Sequence, residues 1–282
     1  MIWLYATCAS AILFGIGGFL LKVGSHKNYS EASMLLGLYF VGSVVLYGML
    51  LRNGGIYFNR DLLGLSILVG LGSYFGNAFL VKAYDTGPAC LTAPLMSMSV
   101  VFIILLSAWT YNETISHIQY MGVAIMVIAA VLLGINFKNT AIKNKMWSVF
   151  VVLGIIFLFL REGGLKIAFE SGLDNVMVLF WGYIFASALA IIAFLMDTKT
   201  FSILSKKNKG IFLGAIIGVF SGAGMGLLAY AITLGPTAII VPLFSARNII
   251  TVLLILIFFK EKLSSLQWGS IWLMLTGLLL IS

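Results

Sequence analysis

Charge-free apolar runs about as long as a bilayer is thick recur along the whole of this 282-residue chain. A helix needs roughly 20 such residues to cross, because it rises about 1.5 Å per residue against roughly 30 Å of hydrocarbon. The runs are Met1 to Leu21, Ala32 to Leu51, Leu62 to Val81, Thr86 to Asn112, Ile118 to Phe137, Asn175 to Met196 and Leu263 to Ser282. A longer stretch from Gly210 to Ala246 breaks at Thr233-Leu234-Gly235-Pro236, giving an eighth span near 210–232 and a ninth near 235–259. A sixth starts near Met146 and meets Arg161-Glu162. The first run lacks the basic flank of a signal peptide and is read as a retained helix. The expectation is an all-α integral membrane protein of ten transmembrane helices with short connectors. Charged residues make up 9% of the chain, against about 25% in soluble proteins. That deficit excludes water-soluble enzymes and nucleic-acid binders.

The formal charge is +8, and most Lys and Arg fall in connectors, where the lipid bilayer is the expected partner. Cys8 and Cys90 lie inside apolar stretches, so no disulfide framework is expected. With His26 and His117 far apart at span edges, no metal site is expected either.

The second half repeats the first. At an offset of 146, Gly17-Gly18 falls on Gly163-Gly164, Gly64 on Gly210, Gly72 on Gly218, Gly76 on Gly222 and Tyr84 on Tyr230. At 148, Pro88 falls on Pro236, Pro94 on Pro242, Ser97 on Ser245, Glu113 on Glu261, Ser116 on Ser264 and Gln119 on Gln267. The expected units are 1–137 and 146–282, joined by a linker at 138–145. Five helices per copy is an odd number, so the second copy enters the membrane from the opposite side. The result is two inverted five-helix repeats, an architecture shared by many secondary transporters.

All four prolines occupy the two matching helices. Pro88 and Pro236 suit helix starts, where the missing N–H is not needed. Pro94 and Pro242 lie within and each remove an i→i−4 bond, so they mark helix breaks at a substrate site or gate. Gly210, Gly214, Gly218, Gly222 and Gly226 form an every-fourth-residue stripe that lets another backbone approach closely. No Walker A sequence is present.

These features resemble the drug/metabolite transporter superfamily in its ten-helix EamA-type form. The resemblance covers nearly the whole chain. It is clearest in Gly87-Pro88-Ala89 through Pro94, then Glu113, Gln119 and Gly122, and in Gly235-Pro236-Thr237 through Pro242, then Glu261 and Gln267. Asn112 and Lys260 stand where the family usually places Gly before Glu, and Phe14-Gly15 where it often has Trp-Gly. The resemblance implies gradient-coupled movement of small metabolites, amino acids, sugars or drugs, often outward.

Ionisable residues inside a span cost several kcal/mol and mark function by default. Arg247 falls near the middle of the ninth helix, and Arg161 and Glu162 fall within the sixth. Sequence neighbours project about 100° apart on a helix, so Arg161 and Glu162 are not expected to neutralise one another. Glu162 is expected to pair with Arg247, leaving one cation for a substrate carboxylate or phosphate. The competing reading has Arg161 snorkelling to the interface. Asn77, Tyr74 and Asn248 join the substrate-binding candidates, with Tyr84 and Thr251 as lesser ones. Trp3, Trp109, Trp147, Trp268 and Trp272 read as interface anchors. Glu113 and Glu261 read as residues that fix the turn after their helices, or as gates.

The main expectation is a non-enzymatic secondary transporter, an exporter of small polar metabolites. It would sit as a monomer or dimer in a bacterial inner membrane, with no cofactor other than protons as coupling ion. The alternative is a proton-coupled exporter of lipophilic cations, with Glu162 alternating between proton and drug as a first-helix Glu does in the small multidrug-resistance relatives. A scaffold or receptor is a third, weaker option. The connector lysines, Lys27, Lys138, Lys143, Lys145, Lys199, Lys206, Lys207, Lys209, Lys260 and Lys262, would place the odd connectors in the cytoplasm. The resemblance implies the reverse orientation.

Overall fold

Backbone N–H and C=O groups in hydrocarbon must be satisfied within their own segment, so each apolar run becomes a helix. A computed structural model describes residues 2–52, 55–111, 116–135, 146–197, 204–234, 237–261 and 263–281. In its first half are α1 (Ile2–His26), α2 (Glu31–Arg52), α3 (Arg60–Thr86), α4 (Ala89–Met96), α5 (Ser99–Tyr111) and α6 (His117–Ile135). The second half contributes α7 (Met146–Glu170), α8 (Asn175–Met196), α9 (Leu204–Leu234), α10 (Thr237–Phe259) and α11 (Ser265–Ile281). Seven helical stretches among the described residues are long and apolar enough to cross a membrane, α4 and α5 together forming one of them. Three shorter apolar stretches accompany them: His117–Leu132, Ala246–Phe259 and Ser265–Leu280. Glu113, Pro236 and the linker at 138–145 lie outside the described residues.

The distribution of side chains is that of a membrane protein. Trp109, Leu195 and Phe212 are exposed, while Thr7, Ser10, Ser33 and Ser66 are buried. Small and polar groups in the interior let helices touch through backbone, which lipid solvation does not oppose.

The glycine stripe of α9 seats α2. A Cβ on Gly218 would lie 2.5 Å from the Leu38 carbonyl oxygen, and one on Gly222 would lie 2.9 Å from that of Gly42. Gly214 meets the Met34 backbone and Gly226 the Met49 side chain in the same way. Residue numbers rise together on both helices, so α2 and α9 run parallel.

Other contacts fix the remaining directions. Lys82 pairs with Glu31 at 3.8 Å, and Tyr39 Oη donates to the Ser73 carbonyl, so α2 and α3 are antiparallel. It follows that α3 and α9 are antiparallel to each other. Helices α2 and α8 also oppose one another. Ser30 Oγ donates to Asp197 Oδ2 (2.6 Å), the Tyr39 and Tyr183 rings meet edge-on at 5.2 Å, and Tyr47 lies 6.1 Å from Phe180. Helix α1 packs on α9 and α10, and α7 packs on α3 and on the α4–α5 pair.

The two proline-bearing spans behave differently. After Pro94 the chain leaves α-geometry. Ser97 N–H donates to the Pro94 carbonyl and Met98 N–H to that of Leu95, both i→i−3 bonds at 3.0 Å. Helix α5 then restarts at Ser99. The equivalent span, α10, is a continuous helix from Thr237 to Phe259, so the break expected at Pro242 does not occur. The loss of one backbone bond at a proline bends a helix but need not end it when its neighbours continue.

Candidate functional site

Two close helix approaches bring the buried charges together. Gly72 lets α3 lie against the α7 backbone at the level of Arg161, where a Cβ would sit 2.5 Å from its amide nitrogen. Gly15 lets α1 lie against α10, where a Cβ would sit 3.0 Å from the Arg247 carbonyl oxygen. Thr251 Oγ1 fastens the second contact, lying 3.0 Å from both the Gly15 and Arg247 carbonyl oxygens.

Glu162 stands at the centre. Its Oε1 accepts from Arg161 Nη2 at 3.0 Å and from Arg247 Nη2 at 3.1 Å. Its Oε2 accepts from Ser99 Oγ at 2.9 Å. The expected Glu162–Arg247 pair is therefore present. The expectation that Arg161 and Glu162 would not neutralise one another is corrected. The guanidinium is long enough to curl round the helix to its neighbour, where Arg161 Nη2 meets Glu162 Oε1. Arg161 is 8% exposed, so it turns inward and does not snorkel, and α7 continues past it to Glu170. Arg247 lies over Phe244, its Cζ 4.2 Å from the ring centroid, with the Phe14 ring at 5.5 Å. Such stacking suits a planar cation in a poorly hydrated site.

Arg161, Glu162, Arg247, Ser99 and Phe14 line a cavity of about 100 Å³ together with Asn77, Ser97, Tyr84, Asn248 and Thr251. Asn77 Nδ2 donates to Tyr39 Oη at 2.8 Å. Tyr74 does not line this cavity. It is buried against Tyr39 and Phe75. Two buried polar atoms of lining residues, Arg161 Nε and Ser97 Oγ, have no hydrogen-bond partner. Arg161, Glu162, Arg247, Asn77 and Asn248 are thus gathered on one cavity.

The repeat offsets reveal how this asymmetric site arises. Arg161 and Glu162 occupy the positions of Gly15 and Ile16, and Arg247 occupies that of Ser99. All three charges belong to the second half. The first half supplies neutral equivalents, and one of them, Ser99, meets the same carboxylate as its charged counterpart.

A second cluster lies beyond Tyr84, at the start of α4. Pro88 occupies the N-cap without a side-chain hydrogen bond. The orphan first-turn donors are taken instead by Glu261, which follows α10. Its Oε1 accepts from Ala89 N–H (3.1 Å), and its Oε2 from Cys90 N–H (3.0 Å) and Cys90 Sγ (2.7 Å). A carboxylate here satisfies orphan amides and the positive end of the helix dipole. Lys22 Nζ closes the cluster, 3.5 Å from Glu261 Oε1 and 3.0 Å from the Tyr84 carbonyl oxygen to which it donates. Glu261 therefore holds a helix of the other half, while Ser264 and Gln267 bond each other's backbone N–H at the start of α11.

Ser97, Ser99, Lys22 and Cys90 escaped sequence reasoning, since serines and a lone cysteine in apolar runs carry no distinctive spacing. The equivalence of Ser99 with Arg247 was a signal within reach. Trp147 is corrected as well. It is 1% exposed, and its Nε1 donates to Thr92 Oγ1 at 2.9 Å, so it packs inside the protein instead of anchoring at the interface.

Comparison with known proteins gives three likenesses. The model of the EamA-like transporter family matches residues 1–135 and again residues 145–282. An uncharacterized protein of Methanocaldococcus jannaschii is 25% identical over 127 residues, which are 45% of this chain and 91% of that protein. A solved crystal structure of a protein superposes with a TM-score of 0.60 at 14% identity, covering 97% of each chain, a likeness of fold.

Proposed function

The chain belongs to the EamA-like transporter family, and we propose that it is a secondary active exporter of small polar metabolites, of amino-acid or organic-anion size. It is an integral, multi-pass membrane protein, and on this reading it works in a bacterial inner membrane as ten transmembrane helices. The observation that carries the proposal is the largely buried Arg161–Glu162–Arg247 group lining one cavity. Such a group is costly in a membrane unless a polar ligand uses it.

Alternating access through two inverted repeats is supported by the antiparallel course of equivalent helices, α2 against α8 and α3 against α9. The half-length relative from Methanocaldococcus jannaschii also supports a duplicated unit. The Glu261–Lys22 cluster serves as a gate at one end of the cavity, holding α4 to α10 in this conformation. The rival reading, an exporter of lipophilic cations working through Glu162, is opposed by geometry. A cation approaching that carboxylate meets two guanidinium groups already bonded to it.

Purified protein in liposomes, offered labelled amino acids, organic acids and tetraphenylphosphonium, tests the proposal. Saturable uptake of zwitterions or anions is expected. Uptake of the cation alone would overturn it in favour of the rival.

A further inference from the structure

The two proline-bearing spans are one sequence element held in two shapes. Pro94 and Pro242 are equivalent in the two halves, and so are Ser99 and Arg247, each five residues further on. In the first half the chain leaves α-geometry after Pro94, with i→i−3 bonds to the Pro94 and Leu95 carbonyls, and restarts at Ser99. In the second half α10 passes Pro242 without a break. A second pair of equivalents differs in the same sense. Tyr84, near the end of α3, is 3% exposed, whereas Tyr230, near the end of α9, is 49% exposed. Tyr84 is covered by Lys22, whose Nζ donates to its carbonyl oxygen and lies 5.9 Å from its ring centroid. Lys22 in turn pairs with Glu261, which holds the first turn of α4. The broken span therefore belongs to the end of the molecule that is tied shut.

We infer that the helix break is exchanged between the two spans as the molecule changes conformation: α4 and α5 straighten into one helix and α10 breaks after Pro242 when the Lys22–Glu261 end opens. This deepens the alternating-access reading and rests on its inverted repeats. Exchanging the shapes of two inverted halves turns the molecule upside down, which opens the closed end and closes the other. Each conformation carries one broken and one continuous span, so the cost of a break is present in both and cancels from their difference. Two such states lie close enough in energy to interconvert. The exchange also reaches the buried charges. Ser99 donates to Glu162 Oε2 from the first turn after the break, and Arg247 donates to Oε1 from the continuous span. Straightening one span and breaking the other moves both donors, while Arg161 stays with Glu162 on the same helix. The hold on the central carboxylate thus changes with the end that is open.

The test removes one proline at a time in a Cys8→Ser background, in liposomes without ligand, and reads the rate at which N-ethylmaleimide labels Cys90. Pro94→Ala favours the straight form of α4–α5 and is expected to raise the rate. Pro242→Ala favours the continuous α10, far from the thiol, and is expected to lower it. Each shift is expected to be about tenfold, less than half the cost of a proline inside a helix. The double variant is expected to label at close to the parent rate. Shifts in the same direction, or no shift with Pro242→Ala, would overturn the inference. A second measurement leaves both prolines in place. Glu261→Gln loosens the closed end, and hydrogen exchange is expected to rise over residues 243–248 and fall over residues 97–101; a rise over both, or over neither, would overturn the inference as well. Uptake of the labelled acids by the parent without the opposite shifts would overturn the exchange and leave the transporter reading intact. Opposite shifts without uptake of any offered solute would support the exchange and count against that reading.

Discussion

Replacing Glu162 by Gln tests the charge balance at the centre of the molecule with little change of shape. The amide retains a carbonyl oxygen where Oε1 now accepts from Arg161 and Arg247 at 3.0 and 3.1 Å. Its NH₂ can face Ser99, whose hydroxyl can turn to accept. What disappears is the counter-charge, so the wall goes from +1 to +2 with two guanidinium groups converging on one neutral atom. The three side chains are 10%, 16% and 17% exposed, too little for water to take over. Removing one partner from a buried ionic group costs about 3–5 kcal/mol, and two stranded cations put this case toward the upper end. The double variant Glu162→Gln, Arg247→Gln returns the wall to +1 and should recover about 2 kcal/mol or more of that loss. The assay is reversible unfolding of the purified protein in mixed micelles by SDS titration, read as a double-mutant cycle. If Glu162→Gln unfolds within 1 kcal/mol of the parent, on the order of the value of an exposed pair, then the carboxylate is not the counter-ion described and the reasoning fails.

Other outcomes follow from single contacts. Gly218→Ala drives a Cβ to 2.5 Å from the Leu38 carbonyl oxygen and 3.0 Å from Gly42 N, both backbone; overpacking should lower stability by about 1–3 kcal/mol. Gly64→Ala, with nothing within 4 Å of the new methyl group, should be neutral or stabilising by thermal unfolding. In a Cys8→Ser background Cys90, 0% exposed, should resist maleimide, and Glu261→Gln or Lys22→Ala should raise its labelling rate at least severalfold. Unchanged labelling would remove the gate assignment. Trp147→Phe deletes the donor to Thr92 Oγ1 and should cost about 1 kcal/mol, whereas an interface anchor would tolerate the change.

The all-helical character, the duplication and the membrane as solvent were all legible in the residues. Length against bilayer thickness and the Gly and Pro matches are local or periodic quantities, requiring no knowledge of who touches whom. The stripe from Gly210 to Gly226 announced a close helix contact in the same way, and the unusual cost of charge in hydrocarbon singled out Arg161, Glu162 and Arg247. What periodicity could not supply was partner and direction. That the stripe receives α2, that Arg161 curls back onto its own neighbour, and that Trp147 is internal depend on the approach of segments far apart in sequence. The two prolines show the limit most sharply. Pro94 and Pro242 are equivalent by alignment and each sits within a helix, yet α4 ends at Met96, soon after Pro94, while α10 runs on from Pro242 to Phe259. A missing hydrogen bond only permits a break, and the packing around each span decides whether the chain takes it. Glu261 makes the same point at the start of α4. Its position after α10 says where the carboxylate starts, while the unsatisfied amides of α4, brought alongside by the other half of the molecule, determine what it holds.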